Sequence, residues 1–435
     1  MTAKPLDPTR TDRTAWITLA TLAAAYGVHA LDRSIFTLLV EPIKRELALS
    51  DAQLGLLTGL AFAIFYAALG LPMARLADRW NRKRLIIISI VIFSAATVAS
   101  GMAGGFVSLL LARVLVGIGE AGPTPASVSI LSDRFPPARR PLAMSLFIAG
   151  ALCGTTAGLL AISLFGANVS WRTVFWGAGA GGLIVALVVA LVIREPQRRA
   201  TEAAHEHFGT AMAGLLRIPS FRWISIGSGL FSALIVSVQG WVPAFLTRSH
   251  GFDRNHIVLF LALAWGVGGV VGVTVLGALT NWIRKRGGPA VLISVAGLIV
   301  VTVAVLAVAL STPSTPLCVA ALAVAFFLMP ASQGPTFALV QDMTPPQRRA
   351  TATALLQLIS NGIGLGLGPL ATGALSDALR PHLGSASLRA ALLWVVVAAG
   401  AAGAAAMVLA ARRIVGDLAR EDTLARAPAL EPAAS

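Results

Sequence analysis

Residues 133–140 read DRFPPARR, and residues 342–349 read DMTPPQRR. The two segments are 209 residues apart, and each one separates the fourth and fifth long apolar stretches of its own half of the chain. A second repeated segment supports the same division: RKR occurs at 82–84 and again at 284–286, after the second apolar stretch of each half. Repeats of this kind predict two similar halves that run in the same direction.

The composition decides the class of protein before any other motif is considered. The chain has 435 residues, of which 56% are hydrophobic and 12% are charged, and its mean hydropathy is +0.80. Soluble domains carry about twice that charged fraction. The numbers exclude a soluble enzyme, a disordered chain and a disulfide scaffold. The two cysteines, Cys153 and Cys318, lie in apolar stretches and are predicted to be core residues. A polytopic membrane protein remains.

A spanning helix needs about 20 mostly apolar residues. Apolar runs between polar loops predict twelve spans, and we interpret the first as a retained helix rather than a signal peptide. The spans are 15–39, 51–74, 85–104, 106–132, 141–165, 172–194, 221–246, 255–279, 288–311, 316–340, 350–375 and 387–411. The predicted fold is an all-α membrane protein of two six-helix bundles. Its predicted parts are a first bundle (1–194), a cytoplasmic linker (195–220), a second bundle (221–413) and a cytoplasmic tail (414–435).

The net charge of +15 has an explanation that does not involve nucleic acid. If the N-terminus is cytoplasmic, the segments on that side hold 25 of the 34 Lys and Arg residues, and the opposite side holds seven. Cytoplasmic loops of membrane proteins are enriched in these residues. The count predicts an inner-membrane protein with both termini in the cytoplasm.

The interior of the spans carries a small group of charged residues. Asp32 and Arg33 lie in the first span and Arg113 and Glu120 in the fourth, and His29 stands one helical turn before Asp32. A charge at mid-membrane costs roughly 2.5–3.5 kcal/mol and usually marks a functional site. One hypothesis is a shared ionic site at which a proton and an anionic cargo compete. The alternative is two ion pairs that only tie helices together.

The second half lacks charge in the interior of its spans. Its polar residues are sparse: Ser232, Ser237, Gln239, Gln333, Gln341, Gln357 and Asn361. Aromatic residues are prominent, among them Trp241, Phe326, Phe327 and Phe337. One charged half and one apolar half predict an amphipathic cargo with an anionic head, and we expect Gln239, Trp241 and Phe337 to contact it. The aromatic residues could instead face lipid.

Residues 74–84 read ARLADRWNRKR. This loop resembles the signature loop of the major facilitator superfamily, G-x-L-A-D-R-x-G-R-K, with Ala74 and Asn81 at the two glycine positions. The resemblance implies a cytoplasmic latch between the two halves, formed by Asp78, Arg79, Arg82 and Lys83. A solvated loop that only follows the rule of positive charge inside is the alternative.

Three segments together resemble the Spinster family: the Asp32-Arg33 pair, DRWNRK at 78–83 and GIGEA at 117–121. The resemblance covers residues 26–146 and is only general over the second half. It implies that Asp32 and Glu120 respond to protons and that Arg33 and Arg113 lie near the cargo. Proton-coupled transport of lysolipids or sphingosine-1-phosphate-like amphiphiles is also implied. His29 stands where the family often has Asn, so its role is not implied.

These observations predict a monomeric, proton-coupled carrier that moves a lysophospholipid-like anion through alternating access. The expected cargo contacts are Arg33, Arg113, His29, Gln239, Trp241 and Phe337, and no metal or cofactor is expected. A symporter of a small organic acid, such as a sugar acid or aromatic acid, is the alternative. An enzyme is not expected because no span holds a Ser/His/Asp set, a metal-ligand cluster or a phosphate loop. A ligand sensor is a further alternative.

Overall fold

The computed structural model describes residues 13–136, 139–164, 169–196, 208–284, 286–345 and 348–426. The ordered elements in these ranges are helices. Six long helices form the first half: α1 (Arg13–Leu38), α2 (Asp51–Gly55, Leu56–Leu60 and Ala61–Arg79), α3 (Arg82–Gly101), α4 (Phe106–Glu120 and Pro123–Arg134), α5 (Arg140–Leu164) and α6 (Trp171–Val192). A short helix, Val40–Leu47, follows α1.

The second half repeats the arrangement: α7 (Pro219–His250), α8 (Arg254–Leu261, Ala262–Val267 and Gly268–Arg284), α9 (Gly288–Ser311), α10 (Thr315–Leu328, Met329–Ser332 and Gln333–Asp342), α11 (Arg349–Leu383) and α12 (Ser387–Arg426). Eleven segments are long and apolar enough to cross a membrane, and the last of them, Thr351–Asp417, contains both α11 and α12. A short turn, Gly384–Ala386, separates these two helices. The prediction of twelve membrane helices is therefore confirmed.

Two predicted polar segments contain helix. The linker 195–220 includes a short helix, Phe208–Arg217, and its residues 197–207 lie outside the described part of the chain. The last helix continues through the start of the predicted tail, as far as Arg426.

Side chains cap the N-termini of the two helices that the signature loop connects. Ser50 caps α2, because its Oγ accepts a hydrogen bond from the backbone N–H of Gln53. Asn81 caps α3 by accepting from the N–H of Arg84 at 2.8 Å, and its φ of −69° is ordinary. Ala74 lies inside the helix Ala61–Arg79. Alanine and asparagine therefore suit these positions, since neither backbone takes a conformation that requires glycine.

Helices α4 and α10 are interrupted at matching places. In α4, one helical segment ends at Glu120 and the next begins at Pro123. In α10, a 3₁₀ turn, Met329–Ser332, contains Pro330, and Met329 follows Glu120 by the repeat offset of 209 residues. Proline cannot continue the backbone ladder of a helix. Irregular backbone at membrane depth is tolerated where it is buried or lines a cavity, so both interruptions mark candidate functional regions.

Contacts divide the chain into two compact units. Unit 1 takes in the described parts of 1–203, 236–267 and 365–392, and unit 2 takes in those of 204–235, 268–364 and 393–435. Inside unit 1, α1 packs on α5 and α3 packs on α6 around a core that includes Phe62, Phe93 and Phe147.

Glycine sets the distance between α1 and α5. A Cβ on Gly27 would lie 2.9 Å from the Cα of Gly154, and a Cβ on Gly150 would meet the backbone of Ala23. Small residues at four-residue spacing let membrane helices approach this closely.

Candidate functional site

Helices α1 and α4 bring the interior charges of unit 1 together. Arg113 and Glu120 are two turns apart on one face of the segment Phe106–Glu120. His29, Asp32 and Arg33 lie on facing turns of α1. The charges form two separate pairs rather than one undivided cluster.

The first pair joins Asp32 to Arg113. Nη1 of Arg113 donates to Oδ2 of Asp32 at 2.8 Å, and the Thr97 hydroxyl on α3 donates to Oδ1 at 2.6 Å. Asp32 is 3% exposed and Arg113 is 2% exposed. Both carboxylate oxygens of Asp32 therefore have hydrogen-bond partners. Because both residues are buried, the pair is not accessible to solvent.

The second pair joins Glu120 to two groups of α1. Oε2 of Glu120 lies 2.7 Å from Nε2 of His29 and 3.1 Å from Nε of Arg33. The carboxylate is fully buried, whereas 32% of the Arg33 side chain is exposed. Within the described structure, Oε1 of Glu120 is buried without a hydrogen-bond partner. In this pair the arginine is therefore partly accessible, and the carboxylate can accept a further hydrogen bond.

Aromatic rings surround the two guanidinium groups. Cζ of Arg33 lies 4.3 Å from the ring centre of Phe62 and 4.9 Å from that of Tyr66. Cζ of Arg113 lies 4.7 Å from the ring centre of Phe36. Aromatic faces attract cations at these distances. The rings of Phe62 and Tyr66 therefore fix the position of the Arg33 guanidinium and place aromatic surface beside it.

The second pair has the parts needed to link a proton to an anion. While Glu120 is ionised, it balances the charge of Arg33. A proton on Glu120 would leave Arg33 without that counter-ion, and an uncompensated buried charge favours an incoming anion. Linkage is reciprocal, so a bound anion would strengthen proton binding to the same degree. No group of three or more His, Cys, Asp and Glu residues in the described ranges could hold a metal ion.

Unit 2 contains a cavity of about 110 Å³ whose wall combines polar and apolar side chains. Its polar lining residues are uncharged: Ser228, Ser232, Ser332, Gln333, Thr336, Gln357, Ser360 and Asn361. Only half of them were among the sparse polar residues noted in the sequence. The second half is therefore not uniformly apolar, because three helices turn their few polar side chains to one place. Their i, i+3 and i, i+4 spacing along α7, α10 and α11 was the signal that could have revealed it.

The predicted cargo contacts of the second half lie in different environments. Phe337 lines the cavity in unit 2. Trp241, in unit 1, is 1% exposed, and its indole N–H donates to the carbonyl of Pro369 at 3.1 Å. Gln239 is half-buried in unit 1.

The basic residues of the signature loop contribute an anchor within unit 1. Arg82 is 2% exposed, and it pairs with Asp133 of α4 and, at 2.7 Å, with Glu195 after α6. The backbone N–H of Lys83 donates to Glu195 at 2.8 Å. Arg79 is exposed, and the side chain of Asp78 lies outside the described part of the chain. The described contacts join α3 to α4 and to the segment after α6.

A further ionic cluster in unit 1 has no counterpart among the predicted site residues. The buried carboxylate of Asp51 receives two hydrogen bonds from Arg248, each 2.8 Å long, and one from Ser376 at 2.7 Å. Lys44 also pairs with it, and burial together with the charge of Arg248 lowers the pKa of Lys44. No local motif signals the cluster, because its members come from separate parts of the chain.

Both the sequence and the structure of this chain are similar to those of known membrane transporters. The sequence profile of the Major Facilitator Superfamily matches residues 22–369. An MFS-type efflux pump of Mycolicibacterium smegmatis is 32% identical over 410 residues, which cover 94% of this chain and 95% of that protein. A hexuronate transporter of Bacillus subtilis is 26% identical, over 80% of this chain and 85% of its own.

A solved structure is also similar over almost its whole length. It is the crystal structure of a bacterial homolog of the human lysosomal transporter Spinster, in an inward-facing and unoccupied conformation. The TM-score is 0.82 at 27% identity, with 94% of this chain and 99% of that chain covered. These relatives are transporters and not enzymes.

Proposed function

The chain belongs to the major facilitator superfamily, and from that membership we propose that it is a proton-coupled carrier of an amphipathic organic anion that works by alternating access. The observation that carries the proposal is the open pair of Glu120 and Arg33. Glu120 is fully buried and is bound to an arginine that is 32% exposed, and one of its oxygens has no partner among the residues that the structure describes. A proton on the carboxylate and an anion on the guanidinium then favour each other's binding.

Glu120 is proposed as the first proton site, with His29 as its neighbour. Asp32 is proposed as a second proton-responsive acid, held by Arg113 and Thr97. The two acids differ in their surroundings, because only the Glu120 pair includes a partly exposed partner. That difference supports assigning the cargo contact to Arg33 and a positioning role to Arg113.

The proposed cargo is a lysophospholipid-like anion. Its phosphate would bind Arg33 through charge-assisted hydrogen bonds, and the rings of Phe62 and Tyr66 would contact its apolar part. The resemblance of three sequence segments to the Spinster family implies this class of cargo. The exposed Arg79 and the half-buried Lys83, with Asp78 and Arg82, are proposed to latch the cytoplasmic side.

A small soluble organic acid is the second candidate. The uncharged polar cavity of unit 2 favours it, since a hydrocarbon tail gains nothing from hydroxyl and amide groups. The hexuronate transporter of Bacillus subtilis is a relative whose name states such a cargo.

The proposed setting is the inner membrane, with a monomeric protein and both termini in the cytoplasm. The excess of Lys and Arg on one side of the predicted topology supports this orientation.

Uptake into proteoliposomes under an imposed pH gradient tests the proposal. Labelled oleoyl lysophosphatidic acid and labelled D-glucuronate would be offered in parallel to the wild type, Glu120→Gln and Arg33→Gln. We expect the wild type to accumulate one of the two anions in proportion to the gradient. Glu120→Gln should exchange labelled for unlabelled anion without accumulating it, because glutamine cannot take up the proton. Arg33→Gln should lose both activities.

Asp253→Asn is the matched control, because it also neutralises a carboxylate, but one that is exposed and only caps α8. It should transport like the wild type. The proposed proton coupling would be overturned if wild-type uptake did not depend on the pH gradient, or if Glu120→Gln accumulated the anion normally. The anion that accumulates decides between the two candidate cargoes.

A further inference from the structure

The cavity in unit 2 is built from three helices whose polar side chains face one another. Ser228 and Ser232 come from α7, Gln333 from α10, and Gln357 and Asn361 from α11. None of its lining residues is charged. Such a wall offers hydrogen-bond donors and acceptors but no counter-ion, so it suits a neutral polar group.

Two hydroxyls at this cavity lack partners. The Oγ atoms of Ser228 and Ser360 are buried, and neither has a hydrogen-bond partner in the part of the chain that the structure describes. Buried polar groups in native proteins are nearly always satisfied by protein, water or ligand. Both residues line the cavity, so a rotation about χ1 that turns each hydroxyl toward a guest would give it a partner.

The shape of the cavity limits what can enter. A volume of about 110 Å³ is smaller than the cavity of about 150 Å³ that holds one benzene molecule. A fragment with a few hydroxylated carbons matches this size, whereas a long acyl chain does not. Helices α7 and α11 are close together beside the cavity, because a Cβ on Gly364 would collide with Oγ of Ser232.

We propose that this cavity binds the uncharged, hydroxyl-bearing part of the transported molecule, so that the cargo is a polyhydroxylated anion. This inference rests on the proposed function in one respect, since the molecule bound is taken to be the one transported. Gln333, Gln357 and Asn361 would supply amide donors and acceptors, and Ser228 and Ser360 would gain the partners they lack. The glycerol of a lysophosphatidylglycerol and the hydroxylated chain of a sugar acid share this chemistry.

Binding to the purified full-length protein tests the inference with two matched pairs of probes. D-Gluconate is paired with hexanoate, and oleoyl lysophosphatidylglycerol is paired with oleoyl lysophosphatidic acid. Within each pair the first molecule carries additional hydroxyls. We expect the hydroxylated member of at least one pair to bind more tightly than its partner. The double variant Ser228→Ala with Ser360→Ala should remove about tenfold of that affinity, since it deletes two hydrogen bonds, and should leave the other member unchanged.

Ser225→Ala is the matched control for this variant. Ser225 lies on the same helix as Ser228 and is buried, and its Oγ also has no partner within the described ranges, but it does not line the cavity. It should leave all four affinities unchanged. Without ligand, the double variant should be at least as resistant to thermal unfolding as the wild type, because alanine removes buried hydroxyls that have no partner. Weaker binding therefore cannot be attributed to misfolding.

Two results would overturn the inference: neither hydroxylated probe binds better than its partner, or the double variant binds all probes like the wild type. The proposed function fails separately. If the pH gradient does not drive uptake but the double variant still loses its preference for the hydroxylated probe, the cavity assignment stands and proton coupling does not.

Discussion

Nε2 of His29 lies 2.7 Å from Oε2 of Glu120, although the two residues are 91 positions apart in the chain. The same imidazole nitrogen is 3.4 Å from Nη2 of Arg33. One carboxylate thus has two basic neighbours on α1, the guanidinium of Arg33 and the imidazole of His29.

His29→Gln keeps a hydrogen-bonding group beside Glu120 but removes the imidazole. Because the imidazole directly contacts the Glu120 carboxylate, we expect the pH profile of transport by His29→Gln to differ from that of the wild type. Initial uptake rates between about pH 5 and pH 8 would measure this. Tyr66→Phe is the control, because it keeps the ring beside His29 and Arg33. A His29→Gln profile that matches the wild type would exclude His29 from the proton site.

Arg113→Met should destabilise the protein strongly. It leaves the carboxylate of Asp32 buried with only Thr97 as a partner, and breaking a buried pair typically costs about 3–5 kcal/mol. The double variant Asp32→Asn with Arg113→Met should recover most of this loss, because no charge then remains unpaired. Unfolding of the purified variants by denaturant measures both effects. Equal stability of the single and double variants would contradict the pairing.

Gly154→Ala should weaken the packing of α5 on α1. Its Cβ would collide with the backbone of Gly27, which cannot move aside as a flexible side chain can. Overpacking of this kind costs about 1–3 kcal/mol. Gly181→Ala in α6 is the control, because nothing lies within 4 Å of its Cβ position. The thermal midpoint should fall only in Gly154→Ala. A comparable fall in both variants would contradict an effect of the close packing between α1 and α5.

Asp51→Asn should destabilise unit 1 far more than Ser376→Ala. The first change removes the buried counter-ion of Arg248 and Lys44, whereas the second removes one hydrogen bond. We expect about 3–5 kcal/mol for the first and about 1 kcal/mol for the second. Because the pair is buried, the difference should persist at high salt. Unfolding at low and high NaCl checks this, and a loss that disappears with salt would argue against a buried cluster.

Glu46 should make stability depend on pH. Its carboxylate accepts hydrogen bonds from Trp171 at 2.6 Å and from Arg172 at 2.8 Å, and these bonds lower its pKa. A carboxyl with a lowered folded pKa contributes stability above its ordinary pKa of about 4.3 and loses it as the pH falls toward the folded value. The wild type should therefore lose more thermal stability than Glu46→Gln as the pH falls from neutral to about pH 3, below the ordinary pKa of a glutamate. Parallel pH curves for the two proteins would contradict this contribution.

Several features of the fold followed from local sequence. Runs of apolar residues define the number and approximate ends of the twelve helices, because a spanning helix satisfies its own backbone hydrogen bonds and only its length and hydropathy matter. The repeated segments at 133–140 and 342–349 revealed the two halves. The charged residues of α1 and α4 were also visible in the sequence, since charges are rare inside a membrane.

The pairing of those charges was decided by the tertiary structure. Asp32 and Arg33 are adjacent in the chain, yet Asp32 pairs with Arg113 and Arg33 with Glu120. Successive residues point in directions about 100° apart around a helix, so the partner of each depends on how α1 is rotated against α4. The same holds for Asp51 and Arg248, and for the polar cavity of unit 2. Hydropathy is a property of each segment alone, whereas these contacts depend on the relative rotation and distance of helices that are far apart in sequence.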